Sequence, residues 1–202
     1  MEQKKDKVNI TVLVSGGGTN LQSIIDHIEN GYLDKARIVQ VISSSPGAYA
    51  LERAAKAGIP GVCIDKGQFP KEDDRNNAIL RKLREADTNL IVLAGYMSIL
   101  SPALIQAYRN RIINIHPALI PKYCGKGFYG KRVHCAVLNG GEAESGATVH
   151  FVDEGVDTGK IILQEKVPVE PGDTAETLAA RVLTVEHRIL PQAIKLFCDG
   201  KL

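Results

Sequence analysis

The segment Val8–Ile25, VNITVLVSGGGTNLQSII, decides the class of fold. It passes from an apolar, β-branched run at Val8–Val14 through three glycines into a helical pattern. Short runs of this composition are typical of parallel strands that are buried on both faces. A strand that leads through a tight turn into a helix is the first half of a βαβ unit. The segment therefore predicts an α/β protein.

The same alternation continues along the first two-thirds of the chain. Further strands are predicted at 36–43, 61–64, 89–94 and 111–116, and helices at 21–29, 48–57, 73–85 and 102–108. Strands that alternate with helices favour right-handed βαβ crossovers, which place helices on both faces of a parallel sheet. We therefore expect a doubly wound, mostly parallel sheet.

The last third of the chain has a different pattern. Two apolar strands, at 147–152 and 160–169, follow one another across a turn-rich stretch and are expected to pair as an antiparallel extension of the sheet. A long helix is predicted at 174–197, with Asp173 as its N-cap. Pro191 is expected to kink or divide this helix because proline cannot donate the helical hydrogen bond.

Composition and charge exclude several classes of protein. The chain has 202 residues, of which 44% are hydrophobic and 24% are charged, close to the average for globular proteins. This length favours a single domain over residues 1–202, with a short basic tail at 1–7. The 25 basic and 23 acidic residues leave a net charge of +2, too balanced for a dedicated nucleic-acid or membrane-surface binder. No apolar run approaches the roughly 20 residues that span a bilayer.

The cysteines argue against a metal centre. Cys63, Cys124, Cys135 and Cys198 show no CxxC spacing and no ligand-like pairing with the five histidines. Cys135 directly follows His134, but one adjacent pair does not make a zinc site. We therefore expect free thiols in a reducing cytoplasm and no bound metal.

The glycine turn at Ser15–Leu21 is the first candidate site. Its glycines allow a ligand to approach the backbone closely, and the start of the following helix offers unpaired N–H groups that suit a phosphate. The spacing matches neither GxGxxG nor GxxxxGK[ST], which disfavours a dinucleotide or a nucleoside triphosphate. The alternative is a turn in which Thr19 or Asn20 only caps the helix.

Polar residues near the ends of two later strands form the other candidates. Asn114 and His116 lie on the same face of one strand, and an amide beside an imidazole can stabilise an oxyanion in acyl transfer. The alternative is a packed histidine. Asp153, Glu154 and Asp157 can hold a divalent ion, tune a histidine or belong only to a turn. Together with the glycine turn, these residues favour a transferase that acts on a phosphorylated substrate.

Four motifs are similar to those of the glycinamide ribonucleotide transformylases (phosphoribosylglycinamide formyltransferases), a folate-dependent formyltransferase family. The motifs are SGGGTNLQSII at 15–25, AGYMSILSP at 94–102, NIHPALIPKYCG at 114–125 and HFVDEGVDTGKIILQ at 150–164. A fifth segment, ARVLTVEHRILP at 180–191, extends the resemblance to nearly the whole chain. The resemblance implies a Rossmann-like formyltransferase fold. It also implies transfer of the formyl group of 10-formyltetrahydrofolate to the amine of 5-phosphoribosylglycinamide, through a tetrahedral intermediate, in de novo purine (IMP) biosynthesis.

The resemblance gives the candidate residues three roles. These are substrate binding for Gly18, Thr19, Asn20 and Glu186; folate binding for Met97, Ser98, Ile99, Leu100 and Asn114; and catalysis for Asn114, His116 and Asp157. Asn114 and His116 are expected to donate hydrogen bonds to the formyl oxygen. Asp157 is expected to raise the pKa of His116, which keeps the imidazole charged, and to position a proton-relaying water. His150 also occupies a family position, for which we expect a structural role.

Two segments depart from the family pattern. Phe69–Glu72 reads FPKE where the family often has an arginine near the glutamate tail of the folate, and Lys71 or Arg75 is the expected substitute. Lys126–Lys131 is longer than one common family form, and we expect it to reshape the mouth of the substrate site.

Three alternative functions stay open. A 10-formyltetrahydrofolate hydrolase shares the Asn/His/Asp chemistry, but it is expected to carry a domain before the catalytic one, whereas the first strand here begins at Val8. A methionyl-tRNA formyltransferase is expected to carry a C-terminal RNA-binding domain. A folate or nucleotide sensor requires the catalytic residues to be inert. For the preferred function we expect small-molecule partners, no nucleic acid or membrane, a monomer or homodimer, and a cytoplasmic location.

Overall fold

The computed structural model describes residues 7–202 as a seven-stranded sheet with helices on both faces. In chain order the elements are β1 (Val8–Val14), α1 (Thr19–Glu29), β2 (Ala36–Ser43), α2 (Tyr49–Lys56), β3 (Gly61–Cys63), α3 (Glu72–Glu85), β4 (Leu90–Leu93), α4 (Pro102–Ala107), β5 (Ile112–His116), α5 (Lys131–Asn139), β6 (Glu144–Phe151), β7 (Ile161–Pro168) and α6 (Ala175–Cys198). Lys4 and Lys5 of the expected basic tail lie outside the described residues. Within 7–202, no helix is long and apolar enough to pass through a bilayer.

The order of the strands creates a crevice at the carboxyl ends of the central strands. The order is β3-β2-β1-β4-β5-β6-β7, and β1 to β5 pair in parallel. Strand β6 runs antiparallel to β5, and β7 antiparallel to β6. This topology confirms the predicted doubly wound sheet with its antiparallel extension. Because the order reverses between β1 and β4, the loops that follow these strands diverge and leave room for a ligand.

Successive side chains on the central strands pack into two different hydrophobic cores. On β1, Val12 packs into the core formed with α1, α2, α5 and α6, whereas Leu13 packs into the core formed with α3 and α4. Val92 and Ile91 on β4 divide in the same way, and all four side chains are fully buried. Because both faces are covered, these strands need consecutive apolar residues rather than an alternating pattern.

Helix α6 continues unbroken through Pro191, so the predicted division of this helix is wrong. Proline has no N–H to donate to the carbonyl of His187, four residues earlier. The hydroxyl of Ser23 on α1 donates to that carbonyl instead, at 2.7 Å. A side chain from another helix therefore satisfies the group that Pro191 leaves without its helical partner.

The N-terminus of α6 is capped one residue later than predicted. Thr174, not Asp173, is the N-cap. The hydroxyl of Thr174 accepts from the backbone N–H of Thr177, and the hydroxyl of Thr177 accepts from the backbone N–H of Thr174. Asp173 instead accepts from the Arg181 guanidinium. That ion pair, helped by the backbone N–H of Glu170, holds the pKa of Asp173 well below its usual value.

Candidate active site

A cavity of about 760 Å³ opens where the carboxyl ends of β1, β4 and β5 meet. Its wall also includes the segment 125–131, the loop after β6 and one face of α6. It therefore occupies the crevice at the reversal of strand order. Its volume is in the range of sites that bind small-molecule ligands.

The loops on either side of the crevice are tied together by hydrogen bonds. The backbone N–H of Met97, after β4, donates to the hydroxyl of Ser15, after β1, at 2.8 Å. The Ser15 hydroxyl also pairs with that of Ser44, after β2, at 2.6 Å. These contacts fix the glycine turn relative to the wall that follows β4.

Two residues of the glycine turn line the cavity and a third packs away from it. Thr19 and Asn20 lie in the cavity wall, whereas Gly18 does not. Gly18 has a left-handed backbone with φ of 72°, and a Cβ placed there would lie 2.6 Å from the Cβ of Ala50 on α2. A Cβ at Gly17 would meet nothing within 4 Å. Gly18 is therefore required by its own conformation and by the contact with α2.

Asn20 and Glu186 form a buried pair on the wall of the cavity. The Asn20 amide donates to a Glu186 carboxylate oxygen at 2.6 Å. Burial raises the pKa of Glu186, and the hydrogen bond from Asn20 opposes that shift. The amide oxygen of Asn20 is buried with no hydrogen-bond partner among residues 7–202. The pair thus leaves one hydrogen-bond acceptor unsatisfied beside the cavity.

The segment predicted to contact the folate forms an apolar wall. Met97, Ser98, Ile99 and Leu100 all line the cavity. The side chains of Met97 and Ile99 are 50% and 64% exposed, whereas Leu100 is buried. Large exposed apolar side chains beside a cavity suit a ligand with a flat apolar surface.

The structure brings the three predicted catalytic residues together. Asn114 and His116 lie on β5, and Asp157 lies in the loop between β6 and β7. Nδ1 of His116 is 3.7 Å from Oδ2 of Asp157, and the Asn114 amide nitrogen is 3.5 Å from Oδ1 of Asp157. All three residues line the same cavity.

One ring nitrogen of His116 is committed to the backbone. Nε2 lies 2.9 Å from the carbonyl oxygen of Tyr123, so the Nε2–H donates and Nδ1 faces Asp157 without a proton in the neutral ring. Burial lowers the pKa of His116 by more than the Tyr123 carbonyl and the Asp157 charge raise it. Asp157 therefore acts in the predicted direction, but burial outweighs it and the pKa of His116 lies below its ordinary value.

The Asp157 carboxylate is ionised and held in place. Its Oδ2 accepts from the backbone N–H of Gly125 at 2.9 Å. Burial opposes its ionisation, but the contact with His150, the Gly125 N–H and the charge of His116 together lower the pKa of Asp157. Its backbone is left-handed, with φ of 58°, a conformation that Asp and Asn adopt more readily than most residues.

His150 lies inside the candidate site, a placement that its expected structural role did not include. It sits opposite Asn114 in the antiparallel register of β5 and β6. Its Nδ1–H donates to the carbonyl of Phe151 at 2.8 Å, so Nε2 accepts from the Asn114 amide at 3.1 Å. Nε2 is also 3.6 Å from Asp157. His150 therefore orients Asn114 and lies beside Asp157.

The residues expected to replace the family arginine do not line the cavity. Arg75 is 5% exposed, and its guanidinium donates to the carbonyl of Phe69. Lys71 is exposed where α3 begins. Lys126–Lys131 does line the cavity, as expected for a segment that reshapes its mouth.

The remaining acidic residues of the loop after β6 also line the cavity, but their hydrogen bonds hold the turn and tie it to α4. Asp153 accepts from the backbone N–H of Gly155 and the hydroxyl of Thr158, and Glu154 accepts from Gln106. Within residues 7–202, no group of three or more His, Cys, Asp or Glu side chains is arranged to hold a metal ion.

The doubly wound sheet and its Asn–His–Asp cluster define a class of group-transfer enzyme. The model of the Formyl transferase family matches residues 8–194, and the chain belongs to this family.

Individual relatives within this family narrow the comparison to particular enzymes. The chain is 44% identical to the phosphoribosylglycinamide formyltransferase of Haemophilus influenzae, over 96% of this chain and 88% of that protein. It is 47% identical to the trifunctional purine biosynthetic protein adenosine-3 of Drosophila pseudoobscura pseudoobscura, but it spans only 14% of that protein's length. The crystal structure of glycinamide ribonucleotide transformylase 1 from Symbiobacterium toebii is similar with a TM-score of 0.93 and 41% identity, over 99% of this chain and 92% of that one.

Proposed function

We propose that this protein transfers the formyl group of 10-formyltetrahydrofolate to the amine of 5-phosphoribosylglycinamide, a step of de novo purine biosynthesis. The observation that carries the proposal is the cluster of Asn114, His116 and Asp157, placed between the glycine turn and the apolar wall of one cavity. The full-length similarity to a phosphoribosylglycinamide formyltransferase supports the same reaction.

The ribonucleotide is assigned to the end of the cavity beside α1. The first backbone N–H groups of α1 and the positive end of its dipole suit a phosphate, and the first turn of α1 contains no acidic residue. Thr19 and Asn20 supply further polar groups there, including the amide oxygen of Asn20 that has no partner among the described residues. Glu186 is placed to accept hydrogen bonds from the substrate beside Asn20.

The folate is assigned to the wall that follows β4. When bound, 10-formyltetrahydrofolate supplies the formyl group that the amine attacks. The exposed side chains of Met97 and Ile99 fit a flat ring system, because covering them removes apolar surface from water. Ser98 and Leu100 complete this part of the cavity.

His116 is assigned a proton-accepting role that its resting state allows. Because burial lowers its pKa, the ring is neutral near pH 7, and Nδ1 is free to take a proton from the attacking amine. Asp157 stabilises the imidazolium that results. The charged ring is then a stronger hydrogen-bond donor toward the formyl oxygen. When the tetrahedral intermediate collapses, the carbon–nitrogen bond to the folate breaks and the imidazolium returns its proton to the departing tetrahydrofolate nitrogen.

Asn114 is assigned to the formyl oxygen, on which negative charge develops. In the structure its amide nitrogen contacts His150 at 3.1 Å and Asp157 at 3.5 Å. The longer contact, to Asp157, is the weaker one, and exchanging it frees one N–H for the ligand. The bond to His150 keeps the amide oriented during that exchange.

A steady-state assay tests the reaction. We expect loss of formyl groups from 10-formyltetrahydrofolate only when 5-phosphoribosylglycinamide is also present. Formyl loss at the same rate without the ribonucleotide would identify the protein as a hydrolase and overturn the proposal.

Replacing His116 tests its role within that assay. We expect His116→Ala to lower kcat by roughly 10²–10³, the scale of losing one strong electrostatic contribution to the transition state. The affinity for each substrate should change much less, because the group acts mainly once charge develops. A folded variant with near-normal kcat would remove His116 from the mechanism.

The proposal extends to the state of the protein in the cell. We propose that the chain forms one domain, which the family match over residues 8–194 supports. We also propose that the protein is a monomer or homodimer that binds small molecules but no nucleic acid. The proposal also includes a cytoplasmic location, supported by four free cysteines, and catalysis without a metal.

A further inference from the structure

His134 is a buried histidine on the cavity wall that the proposed mechanism does not use. It lies on α5, its side chain is only 4% exposed, and it lines the same cavity as His116. Its Nδ1 is buried and has no hydrogen-bond partner among residues 7–202. A buried polar atom without a partner destabilises a protein, so its presence calls for an explanation.

His134 differs in position from the other residues that contain a buried side-chain atom without a hydrogen-bond partner. Ser145 and His187 each contain such an atom, but neither residue lines the cavity. Asn20 does line it, and its unpaired oxygen is already assigned to the ribonucleotide. Among the buried side-chain atoms of residues 7–202 without a partner, Nδ1 of His134 is the remaining one on a residue of the cavity wall. Nδ1 is shielded in the ligand-free protein, so a ligand supplies its missing partner when the ring turns toward the cavity.

The charge state of His134 restricts the ligand group that it suits. Burial, followed by the charge of His116, lowers the pKa of His134. The ring is therefore neutral near pH 7, with one nitrogen that donates and one that accepts. A neutral ring of this kind suits a hydroxyl or an amide better than a phosphate or a carboxylate.

The neighbours of α5 favour the ribonucleotide over the folate. Helix α5 packs against α6, which carries Glu186, and Lys131 at the start of α5 forms an ion pair with Glu176 on α6. The apolar wall at Met97–Leu100 belongs instead to the loop after β4. We propose that Nδ1 of His134 hydrogen-bonds a neutral hydroxyl or amide group of the bound ribonucleotide. This inference rests on the proposed function.

Isothermal titration calorimetry with each substrate alone tests the inference. In His134→Phe, the ring volume is largely kept and the hydrogen bond is lost. We expect the Kd for 5-phosphoribosylglycinamide to rise roughly 5- to 100-fold, the worth of one such bond, while the Kd for 10-formyltetrahydrofolate stays within about twofold. The thermal midpoint of the free variant should be unchanged or higher, because an unsatisfied group has been removed.

Two further variants make the result specific. His134→Gln keeps a hydrogen-bonding side chain and should recover part of the lost ribonucleotide affinity. Ser145→Ala removes a buried unpaired atom outside the cavity and should leave both Kd values unchanged.

Several outcomes overturn the inference. They are an unchanged ribonucleotide Kd in folded His134→Phe, an equal loss of folate affinity, and a fall in the thermal midpoint, which would make the imidazole a structural group. If the unsubstituted protein itself fails to bind the ribonucleotide, the proposed function fails as well, so the two failures are distinguishable.

Discussion

At position 116, burial and charge act in opposite directions on one imidazole. Asp157 raises the pKa of His116, but the protein around the ring lowers it by more. The free protein therefore presents a neutral base beside a carboxylate, rather than a preformed ion pair. The base becomes cationic only when it takes a proton, and the carboxylate stabilises it at that moment.

Asp157→Asn tests this balance. Removing the negative charge should lower the pKa of His116 further, because an anionic neighbour stabilises the protonated ring. We expect the NMR titration of His116 to move to lower pH and kcat to fall by about 10²-fold or more.

Asp153→Asn is the matched control, because Asp153 lies in the same loop and accepts only from groups of its own turn. It should leave the titration of His116 in place. If Asp157→Asn changes neither the titration nor kcat, Asp157 belongs to the turn alone.

Adjacent glycines in the turn after β1 should respond differently to alanine. Gly18→Ala forces a left-handed backbone on alanine, at about 1–2 kcal/mol, and also overlaps Ala50. Gly17→Ala meets open space, so it should change the free energy of unfolding by well under 1 kcal/mol. We nevertheless expect it to weaken ribonucleotide binding, because the proposed function places the phosphate at the backbone N–H groups of this turn.

Thermal unfolding and calorimetry on both variants separate these effects. Ribonucleotide affinity that is unchanged in Gly17→Ala would mean that the turn does not hold the phosphate.

Residue types and strand periodicity were sufficient to predict part of the candidate site. Asn114 and His116 were identified because alternate residues of a strand share a face, and a strand end is where α/β sheets bind ligands. His134 was missed altogether, and so was the contact between His150 and Asn114. His150 reaches Asn114 through the register of β5 and β6, and His134 reaches the cavity through the packing of α5. Neither relation is encoded in a local pattern.

At the scale of elements, the joint between α1 and α6 compensates for a proline. Ser23 is buried, and its hydroxyl donates to the His187 carbonyl that Pro191 leaves unpaired. Ser23→Ala should therefore cost about 1–3 kcal/mol of stability, because a buried carbonyl loses its partner. Denaturant unfolding measures this difference.

Ser145→Ala is the comparison for Ser23→Ala. Ser145 is equally buried in β6, but its hydroxyl has no partner among the described residues. Removing it should be neutral or stabilising, since no hydrogen bond is lost. Equal losses in the two variants would mean that the Ser23 bond contributes nothing beyond packing.

Element boundaries were predictable where local composition decides them. Strands β1 and β2 have the predicted bounds, Val8–Val14 and Ala36–Ser43, because their apolar, β-branched runs end at polar or glycine residues. The division of α6 at Pro191 was a local expectation that failed, and local sequence could not reveal the compensating donor, because Ser23 is 164 residues away from His187. The N-cap moved to Thr174 because Arg181 binds Asp173.

At the scale of the whole molecule, two buried histidines and a half-buried one make stability depend on pH. The pKa values of His116, His134 and His187 all lie below the ordinary value of 6.5, chiefly because of burial. In the unfolded chain the pKa of each ring returns to its ordinary value. As the pH falls through that value, the unfolded state therefore binds more protons than the folded state. The free energy of unfolding should therefore decrease on acidification below about pH 6.5.

Urea denaturation at about pH 7.5 and about pH 5.5 checks this dependence. The lowered pKa of Asp157 contributes in a separate window, because its stabilisation is lost only as the pH falls below 3.8 and through its lowered value. A constant or increasing free energy of unfolding between the two conditions would contradict the assignment of neutral buried rings.

The hydrogen bond between Asn20 and Glu186 joins residues that are 166 positions apart. A ligand held there would bridge the first helix and the last one, which pack side by side on the same face of the sheet. The site therefore cannot form in a partly folded chain. Any contiguous fragment that contains both Asn20 and Glu186 includes nearly the whole domain. Ligand binding would then slow hydrogen exchange throughout the domain, since any opening that separates α1 from α6 would first have to release the ligand.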